Sequence, residues 1–514
     1  MDVLQFPIFS ILLVSFIFFT FMVLKVWKRF EPNESTSNRA PGPWKLPIIG
    51  NLHQLVGSDP PHHILRDLAK KNGPLMHLQL GEVHILVVSS AEYAEEVMKT
   101  HDVVFASRPQ INSLRVITYG YKTMSFSPYG GYWRQLRKIC AQELLSAKRV
   151  QSYRSIREQE TSKLIQRIFS EAGTSINLTK KVYSSICTLT SRLAFSDESK
   201  YQEEFISAMK DAIKITSGFN IGDLFPSMKF LQLICGASSK IEKLHKQSNR
   251  IIGSILDEHK KKRNTRKCEG KCEENEDLVD VLLKYQEKGD HEFPLSMDEI
   301  KAVIGDIYVG GTETSATTVD WAMAEMIKNP RVMEKAQAEV RQVFDTRGRV
   351  DETGIPELKY LKLVIKETLR LHPTTPLLVP RENSENCKIN GYVIPAKTRV
   401  IVNAWAIGRD PKYWPHEPET FYPERFLDNP IDYKGTNFKY IPFGAGRRMC
   451  PGMTFGLANV ELPLSQFLYY FDWKLSDGLI PEDLNMAEEF AATVSRKEDL
   501  FLIPSPRRPP PAIN

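Results

Sequence analysis

An uncharged apolar run from Leu4 to Leu24, "LQFPIFSILLVSFIFFTFMVL", opens the chain. At about 1.5 Å per residue, a helix of that length just spans the hydrocarbon core of a bilayer. Lys25, Lys28 and Arg29 follow it and only Asp2 and the amino group precede it, so the positive-inside rule predicts a single-pass anchor with the remainder in the cytoplasm. A cleaved leader would carry its basic residues in front and a small-residue site behind, and neither is present. "APGPWKLPIIGN", Ala40 to Asn51, then breaks any helix leaving the membrane, because proline lacks an amide donor and restricts the residue before it. Residues 1–30 are expected to be an anchor with a basic flank, 31–51 a proline-rich hinge and 52–514 one large domain.

Within that domain, "MHLQLGEVHILVVSS" alternates as a short hairpin does, and "GYVIPAKTRVIVNAWAI" predicts a second strand pair. Most other segments have helical spacing, among them "AEYAEEVMKTH", "YWRQLRKICAQELL", "PRVMEKAQAEVRQVF" and "LKLVIKETLRLH". Asp298 to Pro330 reads as one long helix. The pattern predicts a mainly α domain with small β-sheets. Apolar and charged fractions of 42% and 25% suit a globular core, and the absence of repeats or long low-complexity linkers favours a single domain. A net charge of +6 without a basic, aromatic-laced stripe argues against a nucleic-acid partner and fits a membrane face or an acidic protein partner. Cysteines at 140, 187, 235, 268, 272, 387 and 450 have no framework spacing, as expected where thiols stay reduced. "CEGKC" lies in a charge run and reads as a solvated loop.

"FGAGRRMCPG", residues 443–452, carries the most chemistry. A dinucleotide loop would need a third glycine where Met449 stands, and no cysteine or histidine follows Cys450 through Tyr470 to complete a redox pair or zinc site. Cys450 therefore acts alone. Pro451 suits the first position of the helix predicted over "MTFGLANVELPLSQFLYYF", which places Cys450 at its positive end, with Arg447 and Arg448 adding charge. A lone anionic sulfur there suits an iron centre; a buried cysteine in a tight turn is the alternative.

In the long helix, Gly310 and Gly311 each cost about 1 kcal/mol relative to alanine. A flat cofactor against the helix would account for them, with Glu313 and Thr314 presenting a carboxyl and a hydroxyl to it; a helix crossing with back-bonded threonines is the other reading. Glu367 and Arg370 of "KETLR" share one helix face that Arg425 of "FYPERF" could join, and Trp133 with Arg137 offers a ring and a cation suited to an acid group.

Taken in order, the apolar anchor, the proline hinge, "WRQLR", "GGTETS", "ETLR", "PERF" and "FGAGRRMCPG" resemble the haem-thiolate monooxygenases of the cytochrome P450 family, in particular plant microsomal, terpenoid-oxidising members of the 71 clan. The resemblance implies the P450 fold, one haem-binding catalytic domain behind an N-terminal transmembrane helix, in the endoplasmic reticulum membrane. It implies haem b, with Cys450 as the axial iron ligand, Gly444 and Gly446 letting the loop approach the porphyrin and Phe443 packed by the sulfur. Trp133, Arg137, Arg381 and Arg448 match the partners of the two propionates, Thr314 and Glu313 the pair that relays protons during oxygen activation, and Glu367, Arg370 and Arg425 a structural network. Gly310 where the family often has alanine, and Glu313 where aspartate is common, are mild departures.

No nicotinamide or flavin fingerprint appears, so NADPH is expected to act through a separate NADPH–cytochrome P450 reductase, with cytochrome b5 as a further partner. The resemblance also implies a hydrophobic small-molecule substrate, met by residues such as Ile111, Leu114, Ile117, Ile307, Leu377 and Ala492. A diterpenoid or sesquiterpenoid is expected, with alkaloid or phenylpropanoid oxidation as the alternative. A haem-thiolate isomerase or dehydratase is disfavoured by Thr314, which such enzymes typically lack.

Overall fold

The computed structural model describes residues 38–195, 221–228, 237–268, 277–288, 292–476 and 478–511, with isolated positions between 15 and 20 and between 204 and 211. The predicted anchor falls largely outside these residues. Among the described residues no helix is long and apolar enough to cross a membrane.

Ten helices carry the architecture: α1 (Pro61–Asn72), α2 (Gly131–Ile139), α3 (Arg154–Ser170), α4 (Leu178–Phe195), α5 (Ala237–Cys268), α6 (Leu278–Lys288), α7 (Met297–Lys328), α8 (Pro330–Asp345), α9 (Lys359–Leu371) and α10 (Met453–Tyr470). The long helix predicted from Asp298 is α7, unbroken through both glycines. It starts with a reciprocal cap in which the Ser296 hydroxyl accepts from the Glu299 amide and the Glu299 carboxylate accepts from the Ser296 amide. Its middle is buried nearly all round, with Trp321, Ala322, Met323, Ala324 and Met326 fully covered. It runs through the molecule and packs on α4 and α10. Gly311 is where α10 comes close: a Cβ there would lie 2.8 Å from Phe455. At Gly310 nothing lies within 4 Å, because that side of the helix faces a cavity.

The strands sit at the edges of this helical body. β1 (Leu75–Leu80) and β2 (Val83–Val88) form the predicted hairpin, turning at Gly81 with φ +61°. β4 (Arg381–Glu382) and β7 (Arg399–Val402) complete a sheet in the order β1-β2-β7-β4, with β2 and β7 parallel. The second predicted strand pair divides. β6 (Tyr392–Ile394) pairs with β5 (Cys387–Ile389), whereas β7 turns away to β2, because its alternating Val400 and Val402 bury against Leu86 and Val88. A three-stranded sheet joins β3 (Ile176–Asn177), β11 (Phe501–Pro506) and β8 (Phe471–Leu475), and a hairpin of β9 (Glu488–Phe490) and β10 (Val494–Arg496) lies against α7.

Behind the cavity, Glu367 and Arg370 of α9 are fully buried and meet through two hydrogen bonds of 2.7 and 2.8 Å, while Arg425 reaches the same carboxylate at 2.8 Å. Arg370 also donates to the carbonyls of Gly408 and Pro418. Glu367 and Arg370, which share a helix face, and the distant Arg425 are thus one network, tying α9 to the long segment that leads into residues 443–452.

Candidate active site

A cavity between α7 and the start of α10 is lined by Cys450, Phe443, Gly444, Arg448, Trp133, Arg137, Arg381 and Thr314, together with Arg108, Ser315 and Leu378. Eight of the ten expected site residues therefore meet there; Gly446 and Glu313 do not. The helix predicted over residues 453–471 is α10, but Pro451 does not occupy its first position. Gly446–Arg448 form a single 3-10 turn, Gly452 caps the helix, and α10 begins only at Met453. The Cys450 amide donates back to the Phe443 carbonyl at 3.0 Å, which closes the loop into a cradle.

Gly444, at φ +70°, faces the cavity with only a Leu378 methyl near its missing side chain. Gly446 is needed for a different reason. At φ +67° its Cβ would stand 2.2 Å from the Met98 carbonyl and 2.7 Å from Asp102, so it packs the loop on the neighbouring chain and not on anything in the cavity.

Cys450 is accessible, and the space it meets is the cavity. Burial pushes its thiol pKa up, while the Gly452 amide and Arg137 pull the other way. The expected thiolate-favouring field is thus present but outweighed by desolvation until a metal takes the proton's place. Arg447 adds nothing to that field: it is half exposed and turned to Asp102.

Arg448 is buried, with its guanidinium 4.3 Å from the Trp133 ring, and donates to the carbonyls of Ala106 (2.6 Å), Met124 (3.2 Å) and Ser127 (2.6 Å). Trp133 Nε1 shares the Met124 carbonyl at 3.1 Å. Arg381 donates to Ala445 O at 2.7 Å and to Asp102 at 3.3 Å. Burial, and then the neighbouring Arg381 and Arg137, hold Arg448 down at about 9, still charged at neutral pH. Arg108, which no spacing or motif flagged, is a fourth cation: it donates to Val379, Pro380 and Ser125 carbonyls, and burial with Arg448 and Arg381 lowers its pKa. Four guanidinium groups on one wall, anchored mainly by carbonyls, leave a field that an anion would relieve. That wall and the single sulfur opposite α7 fit a flat group bearing two carboxylates and an iron held by one thiolate.

On α7 the expected pair separates. Thr314 faces the cavity and its hydroxyl donates to Gly310 O at 2.6 Å, beside the Ser315 hydroxyl, which is buried without a partner. Adjacent helical residues point about 100° apart, so Glu313 turns to the flank, where it accepts from the Thr493 hydroxyl at 3.3 Å. Burial, with Glu313 close by, raises the Tyr183 phenol.

Asp306, two turns earlier, was not singled out in the sequence; its one signal is a lone acid inside "AVIGDIYV". It accepts from the Ser125 amide at 2.9 Å and so clamps to α7 the same strap, Met124–Ser127, that Arg108, Trp133 and Arg448 hold from the other side. Burial raises its pKa from 3.8 to about 6, with the Ser125 and Met124 amides and Arg108 opposing. The folded state therefore holds this proton more tightly than the unfolded chain, and the stability it lends at low pH disappears as pH rises from about 4 to about 6. Asp306→Asn is expected to flatten that part of a plot of melting temperature against pH; an unchanged slope would count against it.

Beyond Leu378 the cavity adjoins two others. One is walled by Ile85, Ile111, Leu114, Phe126, Leu377 and Ala492; the next shares Leu114, Phe126 and Ala492 and extends to Ile117, Leu244 and Ile252. Ile307, expected in this wall, is packed in the core instead.

The sequence matches the family model described as Cytochrome P450 over residues 40–501. Tabersonine 16-hydroxylase 1 of Catharanthus roseus is 55% identical over 96% of this chain and 97% of its own. Salviol synthase of Salvia pomifera is 51% identical over 97% of each chain. A zebra fish cytochrome P450 solved with progesterone superposes with a TM-score of 0.75 at 25% identity, covering 87% of this chain and all of its own.

Proposed function

This chain belongs to the cytochrome P450 family and is a monooxygenase, and from that premise we propose that it oxidises a hydrophobic plant terpenoid, of diterpenoid or sesquiterpenoid class, at a haem held by Cys450. The observation that carries the substrate reading is the apolar wall running from Leu378 through Ile111, Leu114, Phe126 and Ile252, too large and too dry for a small polar metabolite. The likeness to salviol synthase supports it. Alkaloid oxidation by the same chemistry is the second reading, favoured by the likeness to tabersonine 16-hydroxylase 1.

When bound, haem b on a thiolate supplies the activation of dioxygen, the sulfur's electron release favouring O–O cleavage. The chain's own residues position, neutralise and relay. Arg108, Arg137, Arg381 and Arg448, with Trp133, would hold the haem carboxylates; the loop 443–452 presents the sulfur, whose charge the Gly452 amide would temper. Thr314 holds a proton at Oγ1, parked on the Gly310 carbonyl and free to swing into the cavity. Glu313 stands behind it on the flank with one buried carboxylate oxygen unpartnered, placed to resupply that proton through water. NADPH serves through a separate reductase, and the run Leu4–Leu24 anchors the chain in the endoplasmic reticulum membrane with its catalytic domain in the cytoplasm.

Thr314→Ala is expected to uncouple the reaction: NADPH and oxygen consumption continue while product per NADPH falls about tenfold or more. Unchanged yield per NADPH would remove Thr314 from the relay. The reading as a whole is tested by co-expression with a plant reductase in yeast microsomes fed sesquiterpenes, diterpenes and indole alkaloids, with products identified by mass spectrometry. An oxygenated terpenoid carries the first reading, an oxygenated alkaloid the second, and a product formed without NADPH would overturn both.

A further inference from the structure

The far end of the substrate cavity holds one hydroxyl with nothing to bond. Ser248 of α5 is 6% exposed, and its Oγ is buried without a hydrogen-bond partner. It lines a cavity whose apolar wall includes Leu114, Ile117, Leu244, Ile252 and Val309 and which several further polar side chains also border. Several helical hydroxyls in this chain return to the carbonyl four residues back, as Thr190 does at 2.9 Å and Thr318 at 2.8 Å, while Thr312 and Ser315 of α7 do not. Ser248 does not return to Leu244, so its hydroxyl is left for the cavity.

The neighbouring polar groups other than the His245 ring, which packs edge-on against Tyr119, are already engaged. Thr118 bonds the Leu114 carbonyl, Thr123 the Phe126 amide, and Asp306 the Ser125 amide; Tyr119 and Lys301 both donate to Asn249 Oδ1. Burial holds His245 below its ordinary pKa, so it adds no charge at pH 7. A buried hydroxyl left unpaired is costly, and a site built around one discriminates strongly in favour of a ligand that satisfies it.

We propose that Ser248 is the polar contact that selects the substrate: it hydrogen-bonds a hydroxyl or carbonyl oxygen at the end of an otherwise apolar molecule whose opposite end lies toward Cys450. The inference rests on the monooxygenase reading above and narrows its substrate class. Gly305, in this wall, and Thr314, in the cavity with Cys450, are nine residues apart on α7, about 14 Å along the helix. A fused-ring skeleton bridges that span with one end at each site. Serine both donates and accepts, so alcohol and ketone both serve. The enzyme then acts on a skeleton that an earlier oxidation or cyclisation has already given an oxygen function, and not on the bare hydrocarbon.

The test is a spectral binding titration of the full-length, haem-loaded protein with matched pairs, a hydrocarbon against its alcohol and ketone, on diterpene, sesquiterpene, indole and lignan skeletons. Wild type should bind the oxygenated member of its preferred skeleton about tenfold more tightly, and Ser248→Ala should lose that margin while its hydrocarbon affinity holds. Alanine is a good helix former, so the variant should fold, and its carbon-monoxide spectrum checks this. A margin that survives in Ser248→Ala, or its absence in wild type, overturns the assignment. The skeleton that binds reports separately on the terpenoid reading: a preference confined to the indole pair, abolished by the substitution, would keep Ser248 and discard the terpenoid. Binding of no skeleton would count against both.

Discussion

Cys450→Ser is expected to abolish the thiolate-type carbon-monoxide spectrum and to bring NADPH-dependent product to background, with the fold intact. Cys450 is the one thiol among the described residues lining the cavity that Thr314 of α7 also lines. Serine keeps the size and the loop hydrogen bond from Cys450 N to Phe443 O, which is backbone, but its hydroxyl neither ionises near neutrality nor releases electron density as a thiolate does. Arg108, Arg381 and Arg448 do not depend on the sulfur, since each holds protein carbonyls; Arg137 is the one of the four that interacts with it. Haem binding should therefore weaken less than activity. A variant that kept the thiolate spectrum or turned over substrate would take Cys450 out of the centre of the reaction. One that failed to fold would be recognised by its melting behaviour, and Cys450→His would then provide the folded, altered ligand for the same spectrum.

What the sequence discloses depends on the range of the interaction. The sulfur loop, α7 with its glycines, and the Glu367–Arg370 pair are written in neighbouring residues, and each is found where its local pattern puts it. Long-range partners are not written locally. Arg108 meets Val379 and Pro380 from more than 270 positions away, and its segment has neither period nor motif. The strand "TRVIV" looks like half of a hairpin with "GYVI", yet pairs with β2 and β4, because alternation fixes which face is buried and says nothing about the neighbour. Glu313 departs from Thr314 by the 100° step between helical neighbours: on one side of Thr314 the step keeps Ser315 at the cavity, and on the other it turns Glu313 to the flank. Gly446 shows the converse: the resemblance assigns it to an approach to the porphyrin, whereas the close neighbour its missing side chain makes room for, the Met98 carbonyl, lies on a distant segment. Ser248 carries no sequence signal at all; only the failure of its hydroxyl to find a partner distinguishes it.

The largest stability effect is expected at Glu367. Its carboxylate is fully buried and accepts from Arg370, from Arg425 and from the Tyr422 amide at 2.9 Å. Glu367→Ala removes the anion and leaves two guanidinium groups facing each other in the interior. Breaking a buried pair from one side costs about 3–5 kcal/mol, because the partner's charge stays behind uncompensated. Glu367→Gln should cost less, since an amide oxygen still accepts one of these bonds. The exposed Arg508–Asp345 pair is the control, held at 2.9 Å yet screened by water, and Asp345→Ala should leave the melting midpoint nearly unchanged. Thermal loss of the carbon-monoxide spectrum measures all three, with a midpoint lowered by on the order of 3–5 °C for Glu367→Ala. Because the network ties α9, which supplies Leu369 to the cavity wall, to the segment preceding the cysteine loop, the alanine variant should also carry less haem. Equal melting of Glu367→Ala and Asp345→Ala would show that the buried triad contributes no more than a surface pair.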